Sequence, residues 1–124
     1  MRIINTDGTI ISFQFKHGDR PGGKNAKGYW PRNRWTQCII EDNKSGYAEG
    51  VTIVHREDRY VKDVGRWGAL LKALYMYCPD DFQLRDTIKH CYNKRVYYNN
   101  GPVIITEYNG QYSIVEQYNH YGAD

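Results

Sequence analysis

The segment YAEGVTIVHREDRYVKDVGRWGALLKAL (residues 47–74) changes its hydrophobic period halfway along. Residues 47–55 place Val, Thr and Ile among polar residues, which is typical of a β-strand. Further on, apolar residues recur at spacings of three, four, three and one, at Val64, Trp67, Leu71, Leu74 and Tyr75. These spacings predict a helix with one apolar stripe. The segment therefore predicts a strand that leads through a charged junction into a helix.

Strands are predicted before this segment. Asp7-Gly8 marks a turn, because glycine accepts a positive φ without a Cβ clash. After it, Phe13 and Phe15 alternate with polar residues, as in a half-buried strand. Residues 18–33 are rich in Gly, Pro and Asn and predict a loop, residues 34–41 predict a strand, and residues 42–46 predict a turn.

A second helix and a closing hairpin are predicted after the segment. Cys78-Pro79 ends the first helix, and Asp80 or Asp81 can cap the second. The apolar side of the second helix consists of Leu84, Ile88, Cys91 and Tyr92. Asn109-Gly110 between alternating strands predicts a type I′ turn.

The order of strands, two helices and strands predicts one α+β domain over residues 1–124. We expect an antiparallel sheet of about six strands with two α-helices packed on one face. Because strand and helix runs are segregated along the chain, we do not expect a parallel βαβ architecture.

Composition excludes several classes of protein. The chain has 124 residues, a net charge of +3 and 12 tyrosines. It has no apolar run long enough for a membrane span, and its first ten residues lack the features of a secretory signal. The three cysteines, Cys38, Cys78 and Cys91, lack the close spacing of a zinc site, so we expect free thiols and no metal.

Catalysis is not indicated by the sequence. Cys38 lies in an apolar strand, where burial raises the pKa of a thiol and makes it unreactive. The chain has no nucleophile elbow, Walker loop or GxGxxG motif, and RPGGK (residues 20–24) is only a basic, glycine-rich stretch. We therefore expect a protein that is not an enzyme and uses no cofactor.

Two basic regions are candidates for binding an anion. Residues 16–34 carry six Lys or Arg against one acidic residue, with Trp30 among them, which suits a phosphate backbone and stacked bases. Trp30 and Trp35 could equally close the core, and a net charge of +3 is low for a nonspecific nucleic-acid binder.

The second region is the charged junction, where seven of the twelve residues 55–66 are charged. Arg66 falls in the first helical turns, where the helix dipole favours anions. Arg56 and Arg59 could orient toward a phosphate, or they could form surface ion pairs with Glu57 and Asp58.

Residues 34–74 resemble a recurring pattern of small bacteriophage proteins. In that pattern a T-x-C strand leads through a second strand to H/S-x-x-D-x-[FY]-x-K-x-x-G-R-x-x-A-L-x-[KR]-A-L. The matching residues are Thr36, Cys38, His55, Asp58, Tyr60, Lys62, Gly65, Arg66, Ala69, Leu70, Lys72, Ala73 and Leu74. The resemblance implies a phage accessory protein that counters a host defence. The chain is similar in size and element mix to the anti-Thoeris family, which sequesters a cyclic nucleotide signal.

We therefore expect a phage counter-defence protein in the cytoplasm of an infected bacterial host. It would sequester a small anionic nucleotide, of the cyclic ADP-ribose type or a cyclic oligonucleotide, and act as a homo-oligomer. The candidate ligand-binding residues supply cations, aromatic rings and an amide: Arg56, Arg59, Lys62, Arg66, Trp30, Phe82, Tyr97, Tyr98 and Asn99. Two alternatives stay open: a phage inhibitor of a host defence enzyme, such as a nuclease, by direct contact, and a nucleic-acid-binding module.

Overall fold

The computed structural model describes residues 2–21, 32–54, 62–93 and 102–117. The strands are β1 (Arg2–Asn5), β2 (Ile10–Pro21), β3 (Arg32–Asp42), β4 (Tyr47–Val54), β5 (Val103–Tyr108) and β6 (Gln111–Gln117). The helices are α1 (Lys62–Tyr77) and α2 (Phe82–Asn93), and both lie between β4 and β5 in the chain. The α+β class predicted from the sequence is confirmed.

The sheet is mixed, so the prediction of a purely antiparallel sheet was wrong. Its strand order is β4-β3-β2-β1-β5-β6, and β5 pairs in parallel with β1, with Ile3 opposite Val103. The remaining neighbours pair antiparallel. A parallel pair needs a long crossover, and the chain between β4 and β5, which contains both helices, supplies it. The order of strands, helices and strands along the chain did not predict that β5 would pair with the free side of β1.

The hairpin of β2 and β3 is longer than predicted. The sequence predicts a loop over residues 18–33, but β2 continues to Pro21 and β3 begins at Arg32. Gly18 stands opposite Trp35, and a Cβ on Gly18 would lie 2.6 Å from the indole ring. Because Gly18 has no side chain, the Trp35 ring can pack directly on the backbone of β2. Gly18, which the sequence assigns to a loop, therefore pairs with β3 as a strand residue.

The predicted turns are confirmed. Gly8 has φ 97°, and Asn109 and Gly110 have φ 52° and 80°, the left-handed values that a type I′ turn requires. At the start of α2, an Asp81 carboxylate oxygen accepts a hydrogen bond from the amide nitrogen of Leu84 at 3.0 Å. This contact identifies Asp81 as the N-cap.

One face of the sheet and both helices enclose the core. Alternate residues of each strand point to this face, as the two-residue period requires. The buried strand residues in the core cluster are Ile3, Ile11, Phe13, Cys38, Ile40, Val103 and Ile105. Helix α2 contributes Ile88, Cys91 and Tyr92 as predicted. Both helices therefore cover the same face, and the opposite face of the described sheet carries no helix.

The apolar stripe of α1 is rotated from the predicted one. Val64 and Tyr75 are 63% and 54% exposed, whereas Ala69, Leu70, Ala73 and Leu74 are fully buried. A Cβ on Gly50 of β4 would collide with the carbonyl oxygen of Ala69 and lie 2.5 Å from the amide nitrogen of Ala73. The helix backbone therefore lies directly on the strand. Only small side chains fit at such an approach, so the alanine face turns toward the sheet.

Gly50→Ala is expected to destabilise the fold by about 3 kcal/mol, because the new methyl group overpacks a backbone contact. Urea unfolding of both proteins, followed by circular dichroism, measures the difference. Ser12→Ala on the uncovered face of β2 is the control and should change the free energy of unfolding by less than about 0.5 kcal/mol. Equal stability of the Gly50 variant and the parent would disprove the close approach.

Asp42 ties the β3–β4 hairpin to the end of α1. Its carboxylate accepts hydrogen bonds from the amide nitrogens of Lys44 and Gly46, both at 2.7 Å, and from the Tyr77 hydroxyl at 2.5 Å. Partial burial acts to raise the pKa of Asp42, but these hydrogen bonds outweigh it and hold the pKa below its ordinary value. Burial, and then the contact with Asp42, raises the pKa of Tyr77.

Tyr77→Phe should lower the free energy of unfolding by about 2 kcal/mol near neutral pH, because it removes a hydrogen bond to a charged group. The difference should shrink on acidification. Asp42 has a depressed pKa in the folded chain, so its stabilisation is complete above its unfolded pKa and disappears as the pH falls through its folded pKa. Urea unfolding from about pH 7 to about pH 2 measures this trend.

Tyr75→Phe is the matched control for that experiment, since Tyr75 is an exposed tyrosine on the same helix. It should behave like the parent protein at every pH. A Tyr77→Phe deficit that stays constant down to the lowest pH would show that the hydroxyl does not interact with the ionised carboxylate.

Candidate functional site

The structure places only part of the predicted ligand-binding set. Arg56, Arg59, Trp30, Tyr97, Tyr98 and Asn99 lie outside the described residues. Lys62 is the first residue of α1, and the structure describes its backbone but not its side chain. Arg66 lies one turn into α1 and is half-buried, and Phe82 begins α2.

The structure does not bring Arg66 and Phe82 together. Phe82 follows the C-terminal end of α1, whereas Arg66 lies near its N-terminal end. The helix rises about 16 Å between Arg66 and Tyr77. One small ligand cannot contact both, so the remaining site centres on the N-terminal end of α1.

A row of polar side chains crosses the sheet beneath this end of α1. His17, Thr36 and Thr52 stand in register on β2, β3 and β4, on the face that the helices cover. The Nδ1 atom of His17 lies 3.0 Å from the Thr36 hydroxyl, and Thr36 is fully buried. The Thr52 hydroxyl oxygen is buried as well and has no hydrogen-bond partner among the described residues. We call these three residues the polar row.

Helix α1 approaches the polar row through Gly68. A Cβ on Gly68 would lie 2.7 Å from the Thr52 hydroxyl oxygen, so any side chain here would strike the row. Arg66 precedes Gly68 by two residues and therefore lies at the same end of the helix. The first amide groups of a helix carry partial positive charge, which adds to the charge of an arginine.

Three aromatic rings adjoin the polar row. Trp67 of α1 stacks on Tyr92 of α2, with ring centroids 5.7 Å apart and planes 30° apart. Tyr92 also contacts Phe15 of β2 at 6.1 Å. Phe15 is two residues before His17 on the same face of β2, so the rings and the polar row are neighbours. At this end of the sheet, the covered face therefore carries aromatic rings and hydrogen-bonding groups in place of aliphatic side chains.

This combination suits recognition of a flat, anionic ligand. A partly exposed aromatic ring such as Trp67 can stack on a base, and an arginine at a helix N-terminus can bind phosphate. Burying His and Thr in place of aliphatic residues costs stability unless their hydrogen bonds are made. His17 and Thr36 share a hydrogen bond, whereas the Thr52 hydroxyl has no hydrogen-bond partner among the described residues.

Sequence reasoning missed most of this site. His17, Thr36 and Thr52 occupy positions that the two-residue period assigns to the core face, where an apolar residue is expected. A polar residue at a core-face position can therefore be recognised from the strand alternation in the sequence. Trp35, whose role the sequence left open, lies on the uncovered face, where its ring lies against Gly18, and it is not part of the helix-covered core.

The three thiols are buried, and none lies in an activating environment. Burial raises the pKa of Cys38 to about 12 and those of Cys78 and Cys91 to about 11. A thiol is nucleophilic only as its thiolate, so these side chains are unreactive near neutral pH. The prediction of an unreactive Cys38 is consistent with this environment.

In the folded protein, all three thiols should resist alkylation by iodoacetamide near neutral pH, and all three should react once urea unfolds the chain. Mass spectrometry of samples quenched at successive times counts the labelled sites. Rapid modification of Cys38 in the folded protein would show that this strand position is accessible.

The described residues contain no group of three or more His, Cys, Asp or Glu side chains able to hold a metal ion. Within the same ranges, neither helix is long and apolar enough to cross a membrane. No protein-family model, curated protein or solved structure matches this chain. The resemblance to small phage proteins therefore stays a prediction from the sequence pattern.

Proposed function

We propose that this protein binds a nucleotide-derived signalling molecule at the N-terminal end of α1 and holds it without altering it. The observation that carries the proposal is the partly exposed pair Arg66 and Trp67 at the positive end of α1, where Trp67 stacks on Tyr92 above the buried polar row. Trp67 and Arg66 offer stacking and charge, and the buried polar row lies beneath this end of the helix.

The biological setting of the proposal comes from the sequence resemblance. A protein that sequesters a cyclic ADP-ribose or cyclic oligonucleotide signal would act as a phage counter-defence protein in the host cytoplasm. Binding alone suffices for that role, so the proposal requires no catalytic residue or cofactor. The expected homo-oligomer is part of the same proposal, and light scattering at micromolar concentration tests it.

Calorimetry with a panel of cyclic nucleotides and cyclic ADP-ribose isomers tests the proposal directly. The protein is then denatured by heat, and the released ligand is identified by mass spectrometry. We expect one ligand class to bind and to be recovered intact. Recovery of an altered ligand would establish an enzyme, and the absence of binding across the panel would contradict the proposal.

Arg66→Ala should weaken binding of that ligand by about 10- to 100-fold, the range for losing a hydrogen bond to a charged group. Arg2→Ala is the matched control, since Arg2 is exposed on β1. It should bind like the parent protein. Thermal unfolding checks that both variants fold, and unchanged affinity in a folded Arg66 variant would remove Arg66 from the site.

A second candidate function is supported by the uncovered face of the sheet. Tyr47 is 57% exposed there, Val51 and Ile53 are about 40% exposed, and Gln37 and Tyr47 both donate hydrogen bonds to Glu49. Exposed apolar side chains around a fixed polar centre are typical of protein contact surfaces. Inhibition of a host enzyme by direct contact becomes the favoured function if no nucleotide binds.

A further inference from the structure

The two outer edges of the sheet differ. At β4, the Lys72 ammonium group of α1 donates a hydrogen bond to the Val51 carbonyl oxygen at 2.9 Å. A lysine at an edge strand blocks pairing with another chain. Strand β6 forms the other edge of the described sheet, and its residues 111–115 (QYSIV) carry no charge.

The backbone of β6 presents hydrogen-bonding groups along this edge. The two-residue turn at Asn109 and Gly110 makes Tyr108 and Gln111 a hydrogen-bonded pair. Because the pattern alternates along an antiparallel strand, the N–H and C=O groups of Tyr112 and Ile114 point away from β5. No strand in the described part of the chain pairs with them.

Helix α2 forms a groove with this edge. A cleft of about 370 Å³ lies between the two elements, lined by Asp86, Thr87, His90, Tyr112, Ser113 and Ile114. Burial raises the pKa of Tyr112 to about 12, so its hydroxyl stays protonated and donates to an Asp81 carboxylate oxygen at 3.1 Å. The groove thus joins a strand edge to a helix wall that carries an exposed carboxylate, Asp86.

We propose that this groove binds an extended, basic peptide segment of a partner protein, which adds to β6 as a seventh strand. Backbone hydrogen bonds to Tyr112 and Ile114 would hold the strand, and its alternate side chains would face α2. A basic side chain facing α2 complements the Asp86 carboxylate, whose ion-pair partner among the described residues is Lys89, at 3.8 Å on an exposed surface.

The position of α2 favours a single strand over a second copy of this chain. Helix α2 packs against β6 itself, so a copy paired through its own β6 would bring its α2 to the same junction. Paired strands lie about 4.8 Å apart, whereas packed helices need about 8–10 Å between their axes. A peptide that adds as a single strand brings no second helix to this junction, so this conflict does not arise.

The test uses a seven-residue, end-blocked peptide of alternating valine and lysine, titrated into the full chain labelled with nitrogen-15. We expect amide shifts at Tyr112 and Ile114 and along α2 at Asp86 and His90, with slower amide exchange at the two strand residues. Shifts confined to β4 or to the uncovered face, or none at millimolar peptide, would overturn the proposal.

Charge and backbone variants sharpen the test. Asp86→Lys should weaken the lysine peptide at least about fivefold and should favour a matching glutamate peptide. Asp80→Lys makes the same charge change on an exposed residue outside the groove and should leave binding unchanged. Equal effects of the two variants would show that net charge, not the groove, determines binding.

Ile114→Pro removes an outward amide, a change that edge strands tolerate, and should abolish peptide binding. Ile114→Val keeps that amide and should bind normally. The two-dimensional spectrum confirms that each variant is folded, and binding by a folded proline variant would contradict strand addition. A dimer detected by light scattering that Ile114→Pro dissociates would instead assign the edge to a second copy and overturn the peptide.

Discussion

At Gly50, helix α1 and the sheet meet backbone to backbone, without an intervening side chain. Gly50 lets the backbone of α1 at Ala69 and Ala73 lie directly on β4, and this contact fixes both the height and the rotation of the helix. Every other contact along α1 depends on that placement. Gly68 reaches Thr52, Lys72 reaches the Val51 carbonyl, and Tyr77 reaches Asp42.

These contacts give different parts of the helix different tasks. Near its N-terminus, α1 covers the polar row and presents Trp67 to Tyr92, which forms the candidate ligand site. In the middle, Lys72 closes one edge of the sheet. At its C-terminus, Tyr77 locks the hairpin through Asp42. The proposed ligand site, the closed β4 edge and the Tyr77–Asp42 contact therefore all depend on the approach of α1 at Gly50.

The two proposed surfaces lie at different places on the covered side of the sheet. The ligand site uses β2, β3, β4 and the start of α1, whereas the peptide groove uses β6 and α2. Tyr92 of α2 takes part in the first, and His90, two residues earlier, lines the second. Residues two apart on a helix point to nearly opposite sides, about 160° apart, so one helix can line both surfaces.

Local patterns predicted much of the fold because they depend on nearest neighbours. The two-residue alternation in β3 assigned Thr36, Cys38 and Ile40 to one face, and Asn109-Gly110 required its turn geometry. The stripe of α1 was misjudged because hydrophobicity ranks Val64 and Tyr75 above alanine. The close approach of α1 to β4 leaves room only for small side chains, so Ala69 and Ala73 face the sheet.

The candidate site was only partly visible in the sequence for a related reason. Arg66 stood out through its charge and its place near a predicted helix start, and the structure keeps it at that end of α1. His17 and Thr52 lie on β2 and β4, with β3 between them in the chain, and only the β2–β3–β4 register aligns them with Thr36. Phe82 was predicted to stack on the ligand because it is aromatic, but it follows the C-terminal end of α1, far from Arg66.

The sequence by itself determined the elements, their turns, the sheet face that each β3 residue takes and the α+β class. Each of these follows from the spacing and conformational preference of residues close together in the chain. Tertiary structure alone decided the parallel β1–β5 pair, the rotation of α1 and the assembly of the polar row. These features depend on contacts between distant segments, where the fit of backbones and side-chain volumes outweighs local preference.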